Sequence, residues 1–248
     1  MKRRGLGWWL YQPYKYLVYA PVVGLVTAIL STLAFVSSFV LPSRTVGWLC
    51  AVPWARILAF MAPMRVRVEG RENVDPQQSY VLVSNHQSQF DIFVLYGWLE
   101  IDFRWVMKQE LRSVPGIGIA CHRLDHIFID RSNHAAAMAT LDDAKKKIVD
   151  GTSVMFFPEG TRSRDGKLKR FKKGAFRMAV DLELPILPLT VTGTRDVLPA
   201  DTSDLMPGSA RLIIHPPVSV EGKTAVDCHD LSNEVREIIA SALPQDQV

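Results

Sequence analysis

The residues with the clearest potential for acid–base chemistry are His86 and Asp91, which lie in the polar stretch Asn85-His86-Gln87-Ser88-Gln89-Phe90-Asp91 after an apolar run. Five positions correspond to roughly 140° of helical rotation, so the two side chains cannot share one face of a continuous helix. They can meet if His86 lies in the turn before a helix and Asp91 in its first turn. Asp91 would then accept the Nδ1 proton and leave Nε2 free as a base. The competing interpretation is an ordinary capping box, because Ser88 and Asp91 stand three residues apart at a helix start.

A second polar segment also follows an apolar strand; it reads Phe157-Pro158-Glu159-Gly160-Thr161-Arg162-Ser163. Ligands bind at the carboxyl ends of strands in open α/β sheets. Residues 162–173 carry seven basic side chains and one acid, Asp165. Such a run is usually a solvated loop, but a glycine and a threonine beside Arg162 are what a phosphate site uses. No Gly-Lys-Ser/Thr follows, so nucleotide hydrolysis is poorly supported.

A third segment ends a buried strand in a charged pair; it reads Phe128-Ile129-Asp130-Arg131. From the residues alone, a structural Asp–Arg interaction is the favoured interpretation. Cys121, His122 and His126 lie nearby, with the two histidines four positions apart. No further ligand cluster or His-Glu-x-x-His pattern accompanies them, so we expect neither a metal site nor a cofactor. The three widely spaced cysteines of the chain fit a reducing compartment.

Short strands alternate with helices from Met64 onward, and this alternation predicts how the polar segments are positioned. We expect strands at residues 65–69, 79–84, 103–107, 127–129, 153–157, 185–191 and 211–215. Helices are expected from about residue 88, over 132–150, over 174–183 and near the end of the sequence. The pattern predicts an α/β fold with a mixed, mostly parallel sheet covered by helices.

The first 68 residues differ from the rest in charge and hydropathy. They carry eight basic side chains and no acid, whereas 21 basic residues face 25 acidic ones from Glu69 onward. Residues 16–43 contain no charge, and aromatic side chains precede them, as at a membrane interface. A second apolar segment, 46–63, is interrupted by Pro53 and resembles a re-entrant or interfacial helix. We therefore expect a two-helix membrane anchor over 1–63 and an α/β domain over 64–248.

These segments together resemble the glycerolipid acyltransferase family, and most closely its bacterial 1-acyl-glycerol-3-phosphate acyltransferases. Asn85-His86-x-Ser88-x-x-Asp91 matches the first family block, and the segments ending at Arg131 and Ser163 match the second and third. Leu184-Pro185-Ile186-Leu187-Pro188 matches the fourth, with leucine at two positions where valine or isoleucine is common. All four blocks occur in order within residues 64–220.

The resemblance implies a role for each matched residue. His86 would be the general base for the free 2-hydroxyl of lysophosphatidic acid, Asp91 its orienting partner, and Asn85 and Ser88 their supports. The hydroxyl oxygen would attack the thioester of acyl-CoA or acyl-carrier protein without an acyl-enzyme, forming phosphatidic acid. The acceptor phosphate would be held by basic residues, with the neighbouring loop shaping the pocket: Arg162, Arg131 and Lys108 as the clamp, and Glu159, Gly160 and Thr161 as the walls.

Several alternatives stay open at this level. The acceptor could be glycerol-3-phosphate or a lyso-ornithine lipid, and the body could be a non-catalytic lipid-binding module, although an intact His86/Asp91 pair argues against that module. Nucleic-acid binding is not expected, because the basic patch is local and the body as a whole is acidic. Acyl thioesters are cytoplasmic compounds. We therefore expect association with the bacterial inner membrane, with the catalytic domain facing the cytoplasm.

Overall fold

A computed structural model of the protein describes residues 5–130, 132, 134–148 and 151–248. These residues contain one sheet of seven strands: Met64–Glu69 (β1), Val81–Ser84 (β2), Phe103–Lys108 (β3), Ile127–Ile129 (β4), Ser153–Phe156 (β5), Ile186–Thr192 (β6) and Gly208–Ile214 (β7). The strands lie in the order β1-β7-β6-β2-β5-β3-β4. All neighbours in this sheet are parallel except β6 and β7. The predicted mixed, mostly parallel sheet is therefore confirmed.

The helices lie before, between and after these strands. They are Leu6–Ser37 (α1), Ser43–Val46 (α2), Val52–Met61 (α3), Phe90–Trp98 (α4), Ile117–Arg123 (α5), His134–Ala144 (α6), Gly174–Leu182 (α7), Thr194–Val197 (α8) and Cys228–Ser241 (α9). The helix predicted over 132–150 is shorter in the structure: the α-helix ends at Ala144, and a 3₁₀ turn follows at Lys145–Lys147. Residues 149 and 150 lie outside the described residues.

The central strands are buried on both faces, which explains their nearly continuous apolar sequences. All four residues of β2 and all seven of β6 are buried. Alternate side chains enter different cores: Leu82 packs in the core that contains Leu58 of α3, whereas Val81 and Val83 pack in the core that contains Phe176 of α7 and Val235 of α9. The edge strand β1 instead alternates between buried or half-buried and exposed residues. This layering fixes the loops that follow the central strands.

The N-terminal helix α1 is apolar and mostly exposed. Among the described residues it is the one helix long and apolar enough to cross a membrane, with a mean hydropathy of 2.0 and 6% of its most apolar window buried. Its π-helical turn Lys15–Tyr19 contacts the body, because the Lys15 ammonium donates to the Ser203 carbonyl. Tyr14 Oη donates to the Met61 carbonyl at 2.6 Å, which ties α1 to the end of α3. The two-helix anchor over 1–63 stays a prediction.

Candidate active site

The predicted site residues lie in loops at the carboxyl edge of the sheet. His86 follows β2 by two residues, Phe157 follows β5 directly, and Thr194 follows β6 by two residues. Because β2, β5 and β6 are parallel neighbours, their carboxyl ends share one edge, where open α/β sheets bind ligands. The sheet thus brings the first and second polar segments, 85–91 and 157–163, together.

His86 and Asp91 form the hydrogen-bonded pair that their spacing predicts. The distance from His86 Nδ1 to Asp91 Oδ2 is 2.9 Å, the His86 side chain is 14% exposed, and Asp91 is fully buried. A carboxylate only accepts, so Nδ1 carries the proton and Nε2 presents a lone pair. Nε2 has no hydrogen-bond partner among the described residues. The pair is therefore arranged as a general base with its orienting group.

Asp91 also performs the capping function that competed with this interpretation. Its Oδ2 accepts the backbone N–H groups of Gln87 at 2.7 Å and Ser88 at 2.9 Å. Its Oδ1 accepts the Thr194 hydroxyl at 2.5 Å, a contact that the sequence did not indicate. Four donors on two oxygens offset the cost of burying a carboxylate. One residue thus closes the turn before α4 and orients the imidazole.

Asn85 and Ser88 support the turn that carries His86. Asn85 is fully buried; its amide donates to the Val191 carbonyl at 2.8 Å, and its Oδ1 accepts the Val191 N–H at 2.8 Å. This exchange extends the pairing of β2 with β6 past the end of the ladder. Ser88 Oγ accepts the Phe90 N–H at 3.1 Å and donates to the Leu198 carbonyl at 2.6 Å. Both residues hold the backbone of the site.

The loop after β5 fixes both the ring and the backbone of His86. The Phe157 ring stacks on the imidazole with centroids 3.8 Å apart and planes at 8°. The Glu159 carboxylate accepts the His86 N–H at 2.7 Å, and the Ser163 N–H donates to the His86 carbonyl at 2.8 Å. Phe157 was visible as an aromatic residue of the second segment, but the sequence gave no sign that its ring stacks on His86.

Glu159 is buried and stabilises the loop through hydrogen bonds, rather than forming the open wall of a pocket. It is 6% exposed, and its second oxygen accepts the Lys169 N–H at 3.1 Å. Burial raises the pKa of Glu159 to about 7, although the backbone N–H groups of His86 and Lys169 oppose that rise. The carboxylate therefore ties Lys169, in the middle of the basic run, to the backbone of His86.

Gly160 and Thr161 form the turn that precedes Arg162. Gly160 has a φ of +78°, and a Cβ there would lie 3.0 Å from the end of the Lys172 side chain. Glycine is favoured in this left-handed conformation because it has no Cβ. Thr161 is exposed, and its hydroxyl accepts from Lys169 Nζ at 3.1 Å. The turn directs the chain from β5 toward the start of α4.

Arg162 lies beside the start of α4 and is bound by two oxygens. Its Nη1 donates to Gln89 Oε1 at 3.4 Å and its Nη2 to Asp201 Oδ1 at 3.2 Å. Its side chain is 32% exposed. Neither Gln89 nor Asp201 was a candidate from the sequence, because one is an unremarkable polar residue and the other lies 39 positions away.

Of the remaining two predicted clamp residues, the structure describes Lys108, which lies farther along the sheet edge. Lys108 is exposed at the end of β3. Since β5 lies between β2 and β3, Lys108 is two strand spacings, about 10 Å, from the end of β2. Arg131 lies outside the described residues. Its neighbour Asp130 accepts the backbone N–H and the hydroxyl of Ser132, at 2.8 Å and 2.6 Å.

His126, considered above as a metal ligand, has a different environment just before β4. Its Nδ1 accepts the Trp105 N–H at 3.3 Å, so Nε2 carries the proton and donates to Tyr96 Oη at 2.5 Å. Burial lowers the pKa of His126 to about 3, and the nearby Arg104 adds to this effect. Within the described ranges, no group of three His, Cys, Asp or Glu side chains could hold a metal ion.

The chain is similar in sequence to known acyltransferases. The family model described as Acyltransferase matches residues 65–192. A 1-acyl-sn-glycerol-3-phosphate acyltransferase of Chlamydomonas reinhardtii is 35% identical over 201 residues, which is 79% of this chain and 58% of that protein. The mouse 1-acyl-sn-glycerol-3-phosphate acyltransferase alpha is 34% identical over 179 residues, or 71% of this chain and 63% of that protein.

A solved structure has the same fold over nearly the whole chain. It is the crystal structure of the 1-acyl-sn-glycerophosphate (LPA) acyltransferase PlsC from Thermotoga maritima, with a TM-score of 0.81 and 26% sequence identity. The match covers 94% of this chain and 95% of that one. In contrast, this chain spans only about three fifths of the length of the algal and mouse relatives.

Proposed function

The chain belongs to the acyltransferase family, and from that membership we propose that it transfers a fatty acyl group to the 2-hydroxyl of 1-acyl-glycerol-3-phosphate. The product would be phosphatidic acid, an intermediate of phospholipid biosynthesis. The observation that carries this proposal is the His86–Asp91 pair next to Arg162, a base beside a cation that suits a phosphate. The names of the algal, mouse and Thermotoga maritima relatives support the same acceptor.

In the proposed reaction, His86 Nε2 takes the proton of the acceptor hydroxyl. The hydroxyl oxygen then attacks the thioester carbonyl; the new carbon–oxygen bond forms and the carbon–sulfur bond breaks. The imidazolium returns the proton to the departing thiolate of CoA or acyl-carrier protein. Asp91 keeps Nδ1 protonated and stabilises the positive charge that develops on the ring. The hydroxyl is itself the nucleophile, so an acyl-enzyme is unnecessary.

Arg162 is proposed to hold the acceptor phosphate, with Lys108 and Arg131 adding positive charge. A planar guanidinium can donate to two phosphate oxygens at once, whereas an ammonium supplies charge without that geometry. Glu159, Gly160 and Thr161 position Arg162 by shaping the turn before it.

The acceptor is tested with a matrix of donors and acceptors, using purified full-length protein in detergent. The expected acceptor is lysophosphatidate, in preference to glycerol-3-phosphate, lysophosphatidylcholine or a lyso-ornithine lipid. A hydrogen bond to a charged group contributes about 1.5–3 kcal/mol, so Arg162→Ala should reduce kcat/KM for lysophosphatidate about 10- to 150-fold. Arg162→Lys should restore part of this loss, and KM for the acyl donor should hardly change.

Arg211→Ala is the matched control for this experiment. Arg211 is an exposed arginine of β7 whose guanidinium donates to Glu69 of β1 and to none of the site residues described above. This variant should retain wild-type kinetics. Equal use of phosphate-free acceptors by the wild type, or a defect of Arg162→Ala in donor binding, would contradict the proposed phosphate site.

We also propose that residues 1–63 attach the enzyme to one face of a membrane, the bacterial inner membrane, with residues 64–248 in the cytoplasm. The exposed apolar side chains of α1, including Leu17, Leu25 and Leu33, support membrane contact. The contact of Lys15 with Ser203 supports a start of α1 on the same side as the body.

Labelling of single cysteines tests this orientation after replacement of the three native cysteines. Gly7 and Glu221 suit the purpose, because both are exposed, one before Lys15 and one in the body. In sealed inverted vesicles, Gly7→Cys and Glu221→Cys should react equally with a membrane-impermeant maleimide. Protection of only one of them would show that α1 crosses the bilayer.

A further inference from the structure

The loop between α8 and β7, residues 198–207, lies between the acceptor site and the membrane helix. Ser88 Oγ donates to its Leu198 carbonyl at 2.6 Å, and the Met206 N–H donates to the Val197 carbonyl at 2.9 Å. The ammonium of Lys15, a residue only 7% exposed, donates to its Ser203 carbonyl. The 198–207 loop is therefore fixed both to the turn that carries His86 and to α1.

Asp201 lies in this loop with an unusual backbone and two arginine partners. Its φ is +57°, in the left-handed region that residues with a Cβ seldom adopt. Its Oδ1 accepts Arg162 Nη2 at 3.2 Å, and its Oδ2 accepts Arg164 Nε at 2.7 Å. The hydrogen bond from Arg164 lowers the pKa of Asp201, and Arg162 adds to this effect. The loop thus holds a carboxylate against two members of the basic run.

The carboxylate binds the group that the proposed function assigns to the acceptor phosphate. Arg162 donates one N–H of Nη1 to Gln89 and one N–H of Nη2 to Asp201. A phosphate bound to the same guanidinium would lie beside the Asp201 carboxylate, and the two anions would repel each other. Arg164 can keep its own hydrogen bond to Asp201 when a phosphate displaces the carboxylate from Arg162, because it uses the other carboxylate oxygen. Resting on the proposed function, we propose that Asp201 is a positioning residue that competes with the acceptor phosphate for Arg162.

The exchange favours the phosphate for a physical reason. An ion pair that is exposed to water is weak, and the side chains of Arg162 and Asp201 are 32% and 47% exposed. A phosphomonoester carries up to two charges and can bridge the guanidinium with two oxygens. Acceptor binding therefore displaces Asp201 at little cost.

The competition also acts on product release. Phosphatidic acid carries the same phosphomonoester as lysophosphatidic acid, so Arg162 alone would hold product as firmly as substrate. Asp201 gives the guanidinium a partner when the product leaves, and this lowers the cost of breaking the phosphate contact. An enzyme without this carboxylate should bind the acceptor and the product more tightly by the same factor.

The test is Asp201→Asn, which keeps the shape of the side chain and removes its charge. Because an exposed ion pair is weak, we expect KM for lysophosphatidate and Ki for phosphatidate each to fall about 2- to 5-fold. KM for the acyl donor should not change. In an Arg162→Ala background the same substitution should have no effect on either constant. A merely structural role for Asp201 would not produce this parallel shift.

Glu69→Gln is the matched control, because it also removes an exposed carboxylate from an arginine. Glu69 accepts from Arg211 at 3.1 Å and 2.8 Å on the edge strand β1. It should change none of these constants. An unchanged or higher acceptor KM in Asp201→Asn would overturn the inference, because the ion pair would then be either inert or needed to orient Arg162.

A binding experiment separates this inference from the proposed function. Calorimetry with monododecyl phosphate in detergent needs no turnover, so it reports on Arg162 and Asp201 whatever the natural acceptor is. Asp201→Asn should bind this probe about 2- to 5-fold more tightly than the wild type, and Arg162→Ala more weakly. If that holds while lysophosphatidate is not acylated, only the proposed acceptor is wrong. If lysophosphatidate is acylated but Asp201→Asn does not tighten binding, only the role of Asp201 is wrong.

Discussion

Two largely buried histidines lie next to opposite ends of two strands of the same sheet, and their neighbours give them different chemistry. His86 follows the carboxyl end of β2, whereas His126 precedes the amino end of β4. His86 donates from Nδ1 to the carboxylate of Asp91. His126 accepts at Nδ1 from the Trp105 backbone and donates from Nε2 to the Tyr96 phenol. Both are hydrogen-bonded residues in close-packed surroundings.

The difference lies in which ring nitrogen remains for a substrate and what stabilises a proton on it. His86 keeps Nε2 for a substrate, and Asp91 supplies a negative charge beside the ring. His126 uses both nitrogens for the fold, and burial together with the charge of Arg104 opposes its protonation more than the charge of Asp125 favours it. A histidine with polar neighbours is therefore a candidate base only when a carboxylate is among them and one nitrogen is free. The following substitutions test this distinction.

His86→Ala should have the largest effect on turnover. Removal of a general base costs about 10²- to 10⁴-fold, so kcat should fall by that factor while folding and membrane attachment are kept. Single-turnover assays measure the fall in rate, and thermal unfolding of the same preparations measures whether the fold is kept. His229→Ala, at an exposed position in α9, is the control and should behave like the wild type. A loss smaller than 10-fold would show that another group removes the proton.

Asp91→Asn should have the next largest effect, because it removes the charge that orients His86 and stabilises its protonated form. We expect kcat to fall about 10- to 10³-fold, less than for loss of the imidazole itself. The amide also mismatches donors that now converge on Oδ2, so the free energy of unfolding should fall by about 1–3 kcal/mol. Full activity with lower stability would mean that Asp91 is only a helix cap.

Thr194→Val tests the outermost contact of the pair. It removes the donor to Asp91 Oδ1 while His86 and the two backbone donors remain. We expect a loss of about 1–3 kcal/mol in stability and a fall in kcat of about 2- to 10-fold. Thr190→Val is a matched control, since Thr190 is also a fully buried threonine of the β6 region, bonded to Ile239 and His215. It should lose similar stability without the loss of kcat.

The contacts of these residues also show what could be predicted from the sequence. The turn from His86 to Asp91 was predictable, because the two residues are five positions apart and helix geometry limits how their side chains can meet. The parallel part of the sheet was predictable from alternating strands and helices. The antiparallel pairing of β6 with β7, and the pairing of β1 with β7 across about 140 positions, were not, because periodicity gives no partner for a strand.

The sequence patterns also could not predict which distant residues contact the site. Thr194 lies 103 positions from Asp91, and Asp201 lies 39 positions from Arg162. Threonine and aspartate are ordinary residues in loops, so their types carry no signal of a functional contact. Only the fold, which ends β2, β5 and β6 at one edge, brings them to the site.

His126→Gln should have the smallest effect on turnover and should act on the pH dependence of stability instead. The pKa of His126 is about 3 in the folded chain, against an ordinary value of 6.5. Below pH 6.5 the unfolded chain therefore binds a proton that the folded chain does not, and stability falls as the pH is lowered. The slope approaches about 1.4 kcal/mol per pH unit, or about 2 kcal/mol between pH 6.5 and 5.

Glu159 has the opposite linkage, because its raised pKa makes the folded chain bind a proton that the unfolded chain releases. This contribution is common to the wild type and His126→Gln, so it cancels in their difference. At pH 8 the glutamine variant should be less stable than the wild type, because glutamine packs less well than the imidazole ring. Between pH 6.5 and 5, however, its free energy of unfolding should fall by about 2 kcal/mol less than that of the wild type. Chemical unfolding at pH 8, 6.5 and 5 measures this difference. Parallel pH profiles would show that His126 takes up a proton in the fold. A fall in kcat at pH 8 on the scale of a lost general base, about 10²-fold or more, would end the distinction from His86.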